Sequence, residues 1–99
     1  ISGCLRFRPM GEDNLPQPTL WLFTDASLGS GSTCAITIPG LTAEHARLHY
    51  WRNSFWIESL SASATVLLDN RPLAPAVAHP LRPGQELRLG AFRYTIELA

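Results

Sequence analysis

The sequence contains no lysine, so its eight positive charges are all arginines, and eight acidic residues balance them to a net charge of zero. Surfaces that bind nucleic acid or anionic lipid carry clustered positive charge. Here the arginines are spread along the whole chain. We therefore expect a protein or peptide partner rather than nucleic acid or a lipid surface.

Long apolar runs are also absent. No segment approaches the roughly 20 apolar residues that a membrane-spanning helix needs, and no signal peptide is recognisable. We expect no direct membrane insertion of this segment. Because the chain begins at Ile1 rather than Met, we expect residues 1–99 to form one domain excised from a larger protein, which could itself be membrane-anchored.

Cysteine is scarce, since only Cys4 and Cys34 occur and they form no Cys-x-x-Cys motif. Small secreted domains that depend on disulfides carry more cysteines than this. We favour two free thiols in a reducing, cytoplasmic compartment, and a single disulfide remains the alternative.

Short apolar segments separated by turn residues make up most of the chain. Period-two alternation predicts strands over residues 3–8 and 92–98, and further strands are predicted at 20–23, 34–38, 64–68 and 86–90. The residues Pro72, Pro75 and Pro80 keep 72–80 out of a central strand. No segment has a helical pattern, so the sequence predicts an all-β sandwich or barrel.

The clearest pairing is a hairpin in which residues 46–51 and 54–59 flank Arg52-Asn53. This register makes one face apolar and places an opposite-charge pair on the other face. It sets these residues opposite one another: Tyr50 and Phe55, Leu48 and Ile57, His49 and Trp56, Arg47 and Glu58.

Five segments in a fixed order resemble the forkhead-associated (FHA) domain family. They are the turn Leu28-Gly29-Ser30, the Thr-x-x-His-Ala block within 41–48, the strand 56–60, the loop 61–73 and the closing strands 81–90. The resemblance covers residues 20–98. It implies an FHA-like (SMAD/FHA) β-sandwich of about 10–11 short strands, with loops at one end that bind phosphothreonine peptides.

The chain departs from this family where the phosphate would bind. The family's phosphate-binding Arg is replaced by Ser30, and the Asn that holds the bound peptide is replaced by Ala64. Glu44 adds a negative charge beside Thr42, which keeps the family's hydroxyl. Because each lost charged hydrogen bond costs about 1.5–3 kcal/mol, we predict recognition that does not depend on phosphate.

The resemblance also nominates the residues of the site. The candidate partner-binding residues at the loop end are Ser30, Thr42, Ser61 and Ser63. Two further residues, Gly29 and His45, are expected to shape the loops, because the family's His has a structural role.

Three tryptophans suggest a second possible interface. The hairpin register places Trp51 and Trp56 together on the outer face of the sheet, and Trp21 lies in another apolar segment. Exposed aromatic clusters mark interfaces. Alternatively, the loop at 9–19 or neighbouring side chains cover them, and the sequence leaves both possibilities open.

Catalytic and metal-binding motifs are absent. The glycine-rich segment 29–33 lacks a Walker lysine and precedes a strand, and no nucleophile elbow occurs. On a strand, His45 and His49 would lie roughly 13 Å apart, too far to share one metal ion. We expect no enzyme activity, no cofactor and no metal site.

The sequence therefore favours a non-catalytic interaction or assembly module of FHA type. One setting with precedent in the family is the cytoplasmic part of a bacterial secretion-system ring protein, or of a signalling protein. The alternative is a working phosphothreonine receptor in which Arg47, Arg52 or Arg71 replaces the missing arginine.

Overall fold

A computed structural model describes residues 4–10, 19–61 and 64–98. These residues form two sheets and no helix, so none of them belongs to a helix that could span a membrane. The strands are β1 (Leu5–Pro9), β2 (Leu20–Leu22), β3 (Ala26–Gly29), β4 (Ile36–Thr37), β5 (Ala46–Trp51), β6 (Ser54–Ser59), β7 (Val66–Leu68), β8 (Arg71–Pro72), β9 (Ala78–Pro80), β10 (Glu86–Leu89) and β11 (Phe92–Leu98). The predicted all-β fold is confirmed.

The strands divide between a six-stranded sheet, in the order β2-β1-β11-β10-β7-β8, and a five-stranded sheet, in the order β4-β3-β5-β6-β9. Only the β3–β4 pair among the described strands is parallel. Sequence neighbours β8 and β9 lie at the edges of different sheets, so the chain crosses from one sheet to the other between residues 73 and 77.

The core fills the space between the two sheets. Inward-facing residues such as Phe7, Leu48, Ile57 and Ile96 are fully buried. Phe7 packs against Tyr94 with ring centroids 5.8 Å apart. Buried and exposed positions alternate along the strands, as the period-two sequence pattern predicts for a sandwich.

The β5–β6 hairpin has the predicted register, from Ala46 opposite Ser59 to Trp51 opposite Ser54. Its two turn residues, Arg52 and Asn53, have φ angles of 53° and 60°, as a two-residue hairpin turn requires. The predicted charge pair differs in detail. Glu58 contacts His49 at 2.8 Å rather than its direct partner Arg47, because diagonal neighbours on a sheet face are also within reach.

Several predicted boundaries change. The segment Ala26–Gly29, which the sequence suggested as turn and loop, is a strand paired with β5. The strand predicted at 34–38 shortens to Ile36–Thr37, and residue 3 of the first predicted strand lies outside the described residues. Leu98 shares the side of β11 that carries buried Tyr94 and Ile96, but it is 48% exposed because it lies at the strand's end.

The proline-containing segment behaves as predicted. Pro72 and Pro80 belong to β8 and β9, which are edge strands, where a missing N–H disrupts no ladder. Cys4 and Cys34 are free thiols, as the cysteine count suggested.

Candidate functional site

The candidate site lies where the loop after β3 meets the loop before β5. Backbone hydrogen bonds join these loops, from the Ser30 N–H to the Thr42 carbonyl at 2.9 Å and from the Gly31 N–H to the Ala43 carbonyl at 3.1 Å. The Cys34 thiol also donates to the Ala43 carbonyl, at 3.1 Å. Two segments that are distant in sequence are therefore held as one surface.

Glycine at position 29 permits this close approach of the loops. A Cβ atom on Gly29 would lie 2.3 Å from the Ala43 carbonyl oxygen and 2.9 Å from that of Thr42. Both of these atoms belong to the backbone and cannot rotate away. The Leu28-Gly29-Ser30 turn thus needs glycine for packing against the 42–43 segment.

His45 lies beneath the loops with only 3% of its surface exposed. Its Nε2 is 2.6 Å from the Thr65 carbonyl oxygen, which can only accept a hydrogen bond, so Nε2 carries the proton. Its Nδ1 accepts the Thr42 backbone N–H at 3.2 Å. The imidazole is therefore neutral with a lone pair on Nδ1, and it connects the 38–45 loop to the loop between β6 and β7.

This arrangement fixes the direction of the Thr42 hydroxyl. Its Oγ1 lies 2.6 Å from Nδ1 of His45. Because Nδ1 is an acceptor, the hydroxyl must donate its single proton to it. On its solvent side the Thr42 Oγ1 therefore offers only lone pairs, which accept hydrogen bonds. A phosphate dianion instead needs hydrogen-bond donors for its oxygens. Sequence reasoning counted this hydroxyl as a remaining phosphate donor and missed this constraint.

Positive charge is sparse around Thr42. Ser30 and Glu44 are both exposed, and among the described residues no arginine makes an ion pair or hydrogen bond with Ser30 or Thr42. Arg52 lies in the turn at the opposite end of β5, about 20 Å along the strand. The Arg71 backbone pairs with Leu68, at the end of β7 that is remote from Thr65.

The loop between β6 and β7 lies beside His45. The Ser61 carbonyl accepts the Ala64 N–H at 3.1 Å and the Ser59 hydroxyl at 3.2 Å. Ala64 is 7% exposed, so its methyl group faces the interior at the position where the family has its peptide-holding Asn. The fourth candidate, Ser63, lies outside the described residues.

The tryptophans occupy two separate places. Trp51 and Trp56 contact each other on the outer face of the five-stranded sheet, with ring centroids 6.2 Å apart and an interplanar angle of 62°. Trp21 belongs to β2 in the other sheet, where the Arg6 guanidinium lies 5.1 Å from its ring centroid. The three residues therefore do not form one continuous surface.

A shallow cavity of about 410 Å³ lies beside Trp51 and Trp56 and is also lined by Asp25, His49, Tyr50 and Ala78. Trp51 is 56% exposed, and the Arg52 guanidinium stacks over its ring at 4.4 Å. The Asp25 carboxylate accepts the Tyr50 N–H at 2.6 Å. Sequence reasoning missed Asp25, since only the β3–β5 pairing brings it to this face.

No cluster of three or more His, Cys, Asp or Glu side chains that could hold a metal ion occurs in residues 4–10, 19–61 and 64–98. The hydrogen bonds of His45 join two loops, and within the described residues its ring nitrogens contact Thr42 and the Thr65 carbonyl.

The family model of the FHA domain matches residues 26–90, and the chain belongs to this family. FHA domains are non-catalytic modules of protein interaction, so the interaction-module prediction is confirmed at this level. A comparison with curated protein sequences gave no match.

Solved structures share the fold at low sequence identity. The N-terminal FHA domain of S. cerevisiae Rad53p, in complex with a phosphothreonine peptide, is 12% identical, covers 97% of this chain and 94% of its own, and has a TM-score of 0.80. The FHA domain of an Arabidopsis thaliana hypothetical protein is 21% identical, with coverage of 98% and 85% and a TM-score of 0.78. The FhaA FHA domain, complexed with the intracellular domain of Rv3910, is 18% identical, with coverage of 97% and 100% and a TM-score of 0.74.

Proposed function

We propose that this FHA domain is an assembly module that recognises its protein partner without phosphate. The surfaces available for this are the loop end, formed by Ser30, Thr42, Ser61 and Ser63, and the outer aromatic face at Trp51 and Trp56. Gly29 and His45 hold the loop end in shape. The partner is a protein or peptide, since the structural neighbours include one bound to a phosphothreonine peptide and one bound to a protein domain.

The direction of the Thr42 hydroxyl carries this proposal. A receptor for phosphothreonine must offer donors, and charged ones above all, to an anion of about −1.5 to −2 charges. Here the hydroxyl proton is committed to His45. The neighbouring side chains are Ser30, whose neutral hydroxyl can donate one hydrogen bond, and the negative Glu44, so an incoming dianion meets one uncharged donor and a like charge.

The second candidate is a working phosphothreonine receptor, which the peptide-bound yeast neighbour favours. It would need an arginine to reach the loop end. Arg47 is exposed near the start of β5 and is the best placed of the three arginines nominated from the sequence, since Arg52 and Arg71 lie at the remote ends of their strands.

The two candidates are separated by titrating the domain with a phosphothreonine peptide and with the same peptide unphosphorylated. We expect no difference in affinity between the two. The control variants are Thr42→Val, which removes the hydroxyl isosterically, and Thr95→Val in β11. Phosphate-dependent binding tighter than about 100 µM that Thr42→Val abolishes and Thr95→Val preserves would overturn the proposal.

We propose a cytoplasmic setting within a larger protein, of the kind found in secretion-system rings or signalling assemblies. The free thiols of Cys4 and Cys34 support a reducing compartment. Fractionation of cells that express the full-length protein, followed by protection of this domain from external protease, tests the placement. Digestion of the domain in intact cells would contradict it.

A further inference from the structure

A second cavity lies at the end of the sandwich remote from His45. It measures about 610 Å³ and is bounded by β8, β9 and the turn that precedes β10. β7 leads away from the His45 loops toward this cavity, since Thr65 precedes the strand and Leu68 ends it. The cavity is therefore separate from the loop end and from the aromatic face.

Two guanidinium groups line this cavity, those of Arg71 and Arg82. Neither forms an ion pair within residues 4–10, 19–61 and 64–98, although Arg6, Arg8 and Arg93 all do. Their backbones are held in place, since Arg71 pairs with Leu68 and the Arg82 N–H donates to the Gln85 side chain at 2.7 Å. Two arginines that form no ion pair within the described part of the chain thus border one concave surface.

A buried histidine nitrogen lies in the same wall. His79 pairs with Ile57 in the β6–β9 ladder, so its side chain points inward on the same side as that buried residue. Its Nε2 is buried and has no hydrogen-bond partner among the described residues. A buried polar atom without a protein partner is costly, and a water, an ion or a ligand group can satisfy it.

The carboxylate in the cavity wall, Asp69, is already engaged. Its Oδ1 accepts the Glu86 N–H at 3.0 Å, and its Oδ2 accepts the Gln85 amide at 3.3 Å. Two arginines and a histidine therefore line one cavity together with a single carboxylate, which keeps its negative charge while its oxygens accept internal hydrogen bonds. Planar guanidinium groups bind carboxylates and phosphates with paired hydrogen bonds.

We propose that this cavity is a binding site for an oxyanion, either the carboxylate or the phosphoryl group of an acidic segment in a partner protein. Arg71 and Arg82 provide the positive charge, and His79 lines the same cavity with a buried ring nitrogen that has no partner among the described residues. The site does not depend on how the loop end recognises its ligand, so the two proposals can fail independently.

The test is a titration of the domain with inorganic phosphate at constant ionic strength, followed by amide chemical shifts. We expect saturable shifts at residues 69–73 and 79–85. The double variant Arg71→Gln/Arg82→Gln should weaken binding by at least about tenfold. The matched control, Arg88→Gln, removes an exposed charge of the same kind outside the cavity lining and should change the affinity less than about twofold.

Two peptides then distinguish the source of the anion. A phosphoserine peptide that binds tighter than its glutamate counterpart assigns the site to phosphoryl groups, and equal affinity assigns it to carboxylates. Shifts confined to residues 30–44, shifts that grow linearly without saturation, or equal weakening by Arg88→Gln would overturn the proposal. Because Arg71 and Arg82 are exposed, their variants should retain the dispersed amide spectrum of the folded domain.

Discussion

Nδ1 of His45 is the acceptor for two groups of Thr42. The backbone N–H of Thr42 lies 3.2 Å from this nitrogen, and the Thr42 hydroxyl oxygen lies 2.6 Å from it. This contact determines the hydrogen-bonding character of the loop end, because it turns the hydroxyl into an outward-facing acceptor. It also joins the recognition loops to the core, since the other ring nitrogen donates to Thr65.

Replacing His45 by alanine should destabilise the whole domain. The change leaves the Thr42 N–H and the Thr65 carbonyl without this partner and opens a buried space, at an expected cost of about 2–4 kcal/mol in the free energy of unfolding. Denaturant unfolding measures this. The control is His49→Ala, whose half-exposed ring contacts Glu58 and should cost less than about 1 kcal/mol. Equal effects of the two variants would contradict the structural role of His45.

Replacing Gly29 by alanine should separate the two loops. The new Cβ would meet the Ala43 carbonyl at 2.3 Å, so the 42–43 segment must move, at an expected cost of about 3 kcal/mol. Gly84 is a suitable control, because its φ of +89° strains alanine while nothing lies within 4 Å of the added Cβ. Gly84→Ala should cost about 1 kcal/mol and leave the amide shifts of Thr42 and Ala43 unchanged. If both variants left those shifts unchanged, the close approach would not be required.

Introducing arginine at position 30 should create phosphate-dependent binding. The guanidinium restores the charged donor that the family has at this position, and we expect phosphothreonine peptide affinity to rise by at least about tenfold over the wild type. Calorimetry with phosphorylated and unphosphorylated peptides measures it. Ser32→Arg adds the same charge two residues away and serves as the control. An equal gain from Ser32→Arg would show that net charge, rather than position, sets the affinity.

Removing Trp51 or Trp56 should weaken assembly of the parent protein and leave the domain folded. Edge-to-face aromatic pairs contribute about 0.5–1.5 kcal/mol, so neither change should unfold the sandwich. Sedimentation of the full-length protein and thermal unfolding of the domain provide the two readouts. Trp21→Ala, on the other sheet, is the control. Unchanged assembly in both Trp51→Ala and Trp56→Ala would exclude this face as an interface.

The domain should lose stability in alkali through Tyr94. Burial raises the pKa of Tyr94 above its usual value of 10.0 by desolvation. Above pH 10 the unfolded chain therefore releases a proton that the folded chain retains, so the free energy of unfolding falls as the pH rises. Denaturant unfolding between pH 9 and 11.5 should show a shallower fall in Tyr94→Phe. An identical fall in Tyr94→Phe would contradict the assignment.

The sequence predicted the structure best where a hydrophobic pattern and a turn signal specified the same strand pairing. The β5–β6 register was predictable because alternation on both strands and a two-residue turn allow only one pairing that buries Leu48 against Ile57. β3 was missed because Ala26 and Ser27 carry no apolar alternation, and only their pairing with β5 makes this segment a strand.

The chemistry of the site was less predictable than the scaffold. The sequence placed Thr42 and His45 in one motif, but the direction of the hydroxyl proton depends on the Thr65 carbonyl, twenty residues away, which fixes the tautomer of the imidazole. The oxyanion cavity depends on two edge strands from different sheets. The sequence spacing of Arg71, His79 and Arg82 does not indicate that these three residues line the same cavity.

The prolines of the two edge strands limit how copies of this domain can meet. β8 ends in Pro72 and β9 ends in Pro80, and neither residue has an N–H to offer a further strand. A strand from another molecule that paired with either border would therefore lose a ladder hydrogen bond at the proline. This loss disfavours continuation of the sheet from one molecule into the next, so each domain is expected to keep its own hydrogen-bonded ladders and to meet other proteins at these edges through side chains.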